Sequence, residues 1–340
     1  MRFLYCALFV LLNHSICVAH QYTADTTGTP SASPPSQLRH LRSGSPSDQF
    51  QVAQSYVAGT NGQPDFKKAF SWYKKAADRG HSGAMTKIGQ MYLFGSGVTQ
   101  DYQKAFKWFL MAASIGEAAA QFDLGLMYFN GLAVPADPGQ ALKWWELAAA
   151  KGNDNAASGL GFAYFNGAGV PKDAARGCQF FAQGATAGSV EGEYNLGYCY
   201  DVGEGIEQDA IEAAHWYGEA STRGYAPAQT NLGKLYLAGN GVAKDEARAL
   251  RLFHLGAEGG NARAFTNLAT SYHDGVGVVR DLVASYMWLE LARRNGESVE
   301  EAIRVVAGEL NQAQIAEAQI RADLWMTTHG AAYRTHLPDR

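Results

Sequence analysis

The stretch Ala84-Met85-Thr86-Lys87-Ile88-Gly89-Gln90-Met91-Tyr92-Leu93-Phe94-Gly95-Ser96-Gly97-Val98-Thr99-Gln100-Asp101 decides the fold. Ala84, Ile88 and Tyr92 recur every four residues with Gly89 beside them, which makes one face of a helix. Gly95 stands where a left-handed cap would end that helix. Ser96 to Gln100 form a short turn, and Asp101 can accept from the free amides that open a second helix. Ala105, Trp108, Phe109, Ala112 and Ala113 then fall at i, i+3, i+4, i+7 and i+8, the apolar stripe of that helix. Gly116 closes it, as Gly80, Gly152, Gly188 and Gly224 close theirs.

Outward from this stretch the pattern returns every 36 residues. Tyr56, Tyr92, Tyr128, Tyr164, Tyr200, Tyr236 and Tyr272 keep that spacing, as do seven glycines from Gly59 to Gly275 and seven aspartates from Asp65 to Asp281. No insertion breaks the period over residues 48–299. Gly89, Gly125, Gly161, Gly197 and Gly233 let one helix approach the next, and Trp or Phe fills the remaining space. One helix pair cannot bury its stripe alone, so neighbouring pairs must stack. The expected fold is all-α: a right-handed superhelical solenoid of seven tandem helix–turn–helix repeats. Beyond it, Ser298 and Glu301 have the spacing of a capping box. Residues 302–310 and 312–326 then read as two helices, so a capping segment is expected over 300–328, with a frayed tail over 329–340.

These residues carry a resemblance. The order Leu-Gly-x-x-Tyr-x-x-Gly-x-Gly-Val-x-x-Asp, then Lys-Ala, an aromatic pair, Ala-Ala and Gly, is similar to the Sel-one-like repeat family. That family implies a helical solenoid that binds other proteins. The first copy departs at Asp48 and Ala53, where Ala and Gly are usual, as suits a polar end-copy. The fourth carries Gly177 in place of Ala and Phe180 in place of Trp, which loosens its packing.

The amino terminus reads differently. Met1-Arg2 is followed by an apolar run from Phe3 to Leu12 and the small-residue ending Cys17-Val18-Ala19. That is the pattern of a secretory signal over residues 1–19, too short to span a bilayer, and no later segment reads as a membrane span. Residues 20–47 are rich in Ser, Thr, Pro and Gly and read as a disordered linker. Within it, Arg39-His40-Leu41-Arg42 resembles the Arg-x-Leu-Arg translocation motif of secreted oomycete effectors. The resemblance implies delivery into plant cells, to host cytoplasm or nucleus, and a host protein as partner. The acidic Glu-Glu-Arg companion is missing: Ser43-Gly44-Ser45-Pro46-Ser47-Asp48 follows instead. The alternative is a periplasmic or secretory-pathway scaffold.

Chemistry is sparse. The net charge of −4 and the lack of a basic run argue against nucleic acid. No nucleophile elbow, phosphate loop or zinc-ligand spacing is present, so no catalytic residue, metal or cofactor is expected. His81, His215, His254 and His273 occupy different repeat positions and make no common metal site. With Cys6 and Cys17 in the signal, Cys178 and Cys199 remain. They lie equally far from the turn near Gly188, so a disulfide forms if the two side chains face each other.

The face of the first helices turned away from Ala120, Leu124 and Tyr128 is more informative. It carries Phe122, Leu126 and Phe129, then Ser158, Phe162 and Phe165, then Tyr194, Tyr198 and Asp201. An aromatic partner-binding groove is expected there, edged by Asp123, Asn195, Asn231, Lys234 and Asn267. The competing reading buries these side chains against the neighbouring helix pair.

Overall fold

The computed structural model describes residues 44–60 and 63–334, with side chains as far as His329. The expected signal, the Arg39–Arg42 motif and residues 335–340 lie outside the described residues. Sixteen α-helices and no strand occur among the described residues. Seven pairs follow one another: α1 Pro46–Val57 with α2 Phe66–Ala77, α3 Ser82–Phe94 with α4 Tyr102–Ser114, and α5 Ala118–Asn130 with α6 Pro138–Ala149. Then come α7 Asp154–Asn166 and α8 Ala174–Thr186, α9 Val190–Val202 and α10 Ala210–Thr222, and α11 Ala226–Ala238 and α12 Glu246–Glu258. The last pair is α13 Ala262–Asp274 with α14 Leu282–Arg294, followed by α15 Glu300–Gly308 and α16 Gln312–Arg334.

The recurring Tyr and Asp share one task. In every repeat the Asp backbone amide donates to the Tyr carbonyl nine residues earlier, from Asp65–Tyr56 at 2.9 Å to Asp281–Tyr272 at 2.9 Å. This bond folds the chain back at each turn. The carboxylates of Asp65, Asp101, Asp137, Asp209, Asp245 and Asp281 then accept from free amides at the start of the second helix. An N-cap is what those unpaired donors require. Gly95 ends α3 at φ +72°, in the left-handed region that side chains avoid.

The chain divides into two compact units, at Asp173 and Ala174. The first unit holds α1–α7. Its core runs through Tyr73, Ile88, Phe109, Leu124 and Met127, with Trp145 also buried. A Cβ on Gly89 would meet the Phe109 ring at 2.5 Å, and one on Gly125 the Trp145 ring at 2.4 Å. The glycines therefore set the distance between the two helices of a pair. Phe70 stacks edge-on against Tyr92, and Phe106 against Tyr128, tying each second helix to the next repeat.

The second unit holds α8–α16. Tyr217, Leu232 and Leu235 form one cluster. Phe253, Phe265, Leu268 and Leu291 form another with Ala318 and Ala322 of α16. Trp325 of α16 packs against Phe265 and Trp288, and Arg294 pairs with Asp323 at 2.6 Å, so α16 closes the last repeat. The fourth repeat is divided, with α7 in the first unit and α8 in the second. Within the second unit, α8 comes close to α9, because Gly184 and Gly192 stand where most other repeats carry Ala. A Cβ on Gly192 would meet the Ala185 nitrogen at 2.5 Å. Cys178 of α8 and Cys199 of α9 are joined as a disulfide across the same contact, with Cα atoms 6.2 Å apart.

Three boundaries differ from the expectation. α1 begins at Pro46 rather than Asp48, because Ser45 caps it in a capping box with Asp48. The box expected from Ser298 and Glu301 does not form. Val299 takes the N-cap position without a side-chain bond, one residue beyond Ser298. α16 continues to Arg334, past the expected end near 328.

Candidate functional site

The first helices α5, α7, α9 and α11 carry the residues expected to bind a partner. Those of α5 and α7 lie in the first unit, and those of α9 and α11 in the second.

In the first unit the expected open aromatic stripe is largely filled in. Phe122 and Leu126 are buried and serve the core. The Phe122 ring lies 6.5 Å from Trp145, and Phe129 stacks on the same indole at 5.3 Å. The Trp145 Nε1–H donates to the Phe122 carbonyl at 3.2 Å, which fixes the indole between them. Phe165 and Ser158 are buried and Phe162 is half-buried. Angular placement on a helix could not show this, because a large indole on the partner helix reaches round to cover residues that are turned away from it.

Asp123 is buried rather than at an open edge. Its Oδ2 accepts from Gln90 Nε2 at 2.9 Å, and Gln90 Oε1 accepts from Lys87 Nζ at 3.0 Å. Burial pushes the Asp123 carboxyl up to about 6, against the opposing pull of Gln90 and Lys87. Burial likewise lowers Lys87, with Asp123 opposing. Lys87, Gln90 and Asp123 thus form a polar chain linking α3 to α5. The sequence reading missed Lys87 and Gln90. Their signal was a polar residue on the face that is apolar in α5.

The second unit is different. Tyr194 is half-buried between Tyr217, at 5.7 Å, and Tyr225, at 5.2 Å. The Asn231 side chain opposes the rise in the pKa of both Tyr194 and Tyr217. Burial raises all three tyrosines above their usual range, so they stay neutral. The Tyr217 hydroxyl also donates to Asp201 at 3.2 Å. Above this floor Asn195, Asn231 and Asn267 occupy the same position of α9, α11 and α13, all half-buried. Tyr198 is 39% exposed, and Lys234 is exposed. Arg263, one turn before Asn267, is exposed and was not foreseen.

The histidines serve separate local roles. His81 caps α3 by accepting from the Ala84 amide at 3.1 Å. His254 sits edge-on to Trp288, and burial lowers its pKa. Among the described residues no group of three His, Cys, Asp or Glu side chains could hold a metal ion. No described helix is long and apolar enough to cross a membrane.

Stacked helix–turn–helix units with a floor of ordered aromatics and an open face of changing residues define a protein-interaction scaffold. The Sel1 repeat model matches residues 46–81, 82–117, 118–153, 154–189, 190–225, 226–261 and 263–297, and the chain belongs to that family. A Sel1 repeat protein from Oxalobacter formigenes is similar at 27% identity and a TM-score of 0.65, over 74% of this chain and 98% of that one. The protective antigen c5321 of uropathogenic Escherichia coli strains is similar at 25% identity and a TM-score of 0.53, over 89% of this chain and 74% of that one. No curated protein matches the chain.

Proposed function

We propose that the chain is a docking scaffold without catalytic machinery, and that it holds a partner protein on the face of the first helices opposite their own second helices. One observation carries this reading. At the position of Tyr198 the seven repeats carry six different residue types: Gln54, Gln90, Leu126, Phe162, Tyr198, Lys234 and Thr270. Two residues on, at Tyr200, the same residue returns every time. Packing fixes the second position and leaves the first free for recognition. Tyr198 is 39% exposed there and offers aromatic surface to a partner. Capture of partners by the full chain and by a Tyr198→Asp variant tests the reading. Loss of capture with an unchanged melting curve supports it, and equal capture by both rejects it.

The finer reading is that the chain is secreted and acts inside plant cells on a host protein, damping defence. Arg39-His40-Leu41-Arg42 behind an apolar amino terminus supports it. The test is delivery of a reporter fused to residues 1–47, with and without Arg39→Ala and Arg42→Ala. Entry into host cells that depends on both arginines is the expected result. A reporter that stays in the secretory compartment favours the scaffold of a secretory pathway instead.

A further inference from the structure

The second helices of the first unit share an outward stripe whose chemistry the fold does not use. In α4 and its cap, Lys104, Lys107, Met111 and Ile115 follow at steps of three and four residues, which puts them on one face. Steps of 36 residues carry that face to the neighbouring repeats. In and just beyond α2 it holds Lys68, Ser71, Lys75 and Arg79. In and just beyond α6 it holds Gln140, Lys143, Leu147 and Lys151. Gln140 is half-buried, the others are exposed, and none is acidic.

Printed contacts join the three helices. The Lys74 ammonium sits 5.5 Å from the Trp108 ring, one residue from Lys75 and from Lys107. The Lys151 ammonium donates to the Gly116 carbonyl, next to Ile115. At 1.5 Å rise per residue and helix spacings near 10 Å, the stripes together cover about 16 Å by 20 Å. Met111 is 49% exposed, Ile115 61% and Leu147 49%. The carboxylates of Asp65 and Asp101 neutralise Lys68 and Lys104, at 2.9 and 3.1 Å. The remaining cations have neutral neighbours. Lys75 lies 4.0 Å over the Trp72 ring, and Arg79 donates to the Gly44 carbonyl at 2.7 Å. Lys107 and Lys143 make no ion pair among the described residues. Of the nearby acids, Asp78 is taken by Lys74, and Glu146 is turned about 100° from Leu147. Unneutralised cations thus flank three bare aliphatic side chains. At the same positions α10 carries Glu212 and Glu219, so the pattern belongs to the first unit.

We propose that this second-helix face docks the protein on a bilayer surface that bears anionic phospholipid. Met111, Ile115 and Leu147 enter the boundary between headgroups and acyl chains, and the lysines reach the acidic headgroups around them. Such attachment grows with the apolar area buried and with the number of cations near the surface. A soluble polyanion would use the charges and leave the aliphatic tips in water. The face lies on second helices, apart from the first-helix face assigned to a partner protein, and does not depend on it.

The test is co-sedimentation of the full chain with vesicles of phosphatidylcholine, alone or mixed with phosphatidylserine in a two-to-one ratio. The gain in affinity on adding phosphatidylserine is read, which cancels attachment through other apolar segments. That gain should be about tenfold or more, and should shrink as salt rises from about 0.1 M to 1 M. Lys107→Glu with Lys143→Glu should remove most of it. Met111→Ser with Leu147→Ser, which keeps every charge, should weaken binding to the mixed vesicles by about fivefold or more. Arg251→Glu with Leu255→Ser, at the same repeat positions of α12, should change neither value. All six positions are exposed, and circular-dichroism melts check that the variants fold. No gain with the parent chain, a gain that survives the lysine pair, or an equal loss in the α12 pair overturns the assignment. A serine pair that binds the mixed vesicles as tightly as the parent overturns it too, and points to a soluble acidic partner for the lysines.

Discussion

Asp123 makes the account quantitative. It is 4% exposed and held by one hydrogen bond from Gln90, with Lys87 further along the same chain. Burial outweighs both and moves its carboxyl from 3.8 to about 6. The folded-state pKa is raised, so between those values the native state binds a proton more tightly than the unfolded chain. Stability is therefore highest below pH 4 as far as this group is concerned. It falls as pH rises through that window, and the full penalty remains above pH 6. A shift of about two units corresponds to about 3 kcal/mol. Asn in place of Asp keeps an acceptor for Gln90 and carries no charge. Asp123→Asn should thus be the more stable protein at pH 7.5, by up to about 3 kcal/mol, less the attraction to Lys87 that it forfeits. At 2–4 °C per kcal/mol, melting should rise by up to roughly 10 °C. At pH 4 the two proteins should melt together. The assay is thermal unfolding of both proteins by circular dichroism from pH 4 to 8. Taking the difference removes every titration they share. A melting difference that does not change with pH refutes the reasoning, as does a variant less stable at every pH.

Gly125→Ala should destabilise the protein by about 1–3 kcal/mol, since its methyl group would enter the Trp145 indole; urea unfolding followed by tryptophan fluorescence measures it. Asp281→Ala, which removes the cap accepting from the Ala284 amide at 3.0 Å, should cost about 1 kcal/mol by the same assay. The Cys178–Cys199 bond closes a loop with a sequence separation of 21. Its loss in a double serine variant should cost about 3 kcal/mol, and a reducing agent should lower the melting temperature of the parent chain but not of that variant.

The repeat was legible because it is overdetermined. Tyr, Gly and Asp return at 36 residues for reasons that are each local: a carbonyl for the turn, a left-handed cap, and an acceptor for free amides. Such roles depend on neighbours within a dozen residues, which the sequence displays directly. The site was less legible. The groove assigned to Phe122 and Leu126 assumed that a helix buries only the residues pointing at its partner. The Trp145 indole spans that angle, and the size of a neighbour across the pair is not part of a helix's own pattern. Asp123 looked like an edge residue because its own helix pattern does not show that Gln90 of the preceding repeat meets it. In the second unit, Tyr198 and Lys234 stayed open, with Asn231 beside them half-buried. Arg263 escaped notice because its equivalents, Pro227 and Glu191, are not basic. The ends of the array were misplaced by one or a few residues. There the period stops and capping depends on single side chains such as Ser45 and Val299.

The central claim is that the variable face of the first helices, and not the repeated framework, holds a partner. Comparing partner capture by the full chain and by Tyr198→Asp, with circular dichroism melts of both, tests it most directly. The account predicts that the variant melts like the parent and captures nothing that the parent captures. A folded variant that captures the same partner as well as the parent contradicts it.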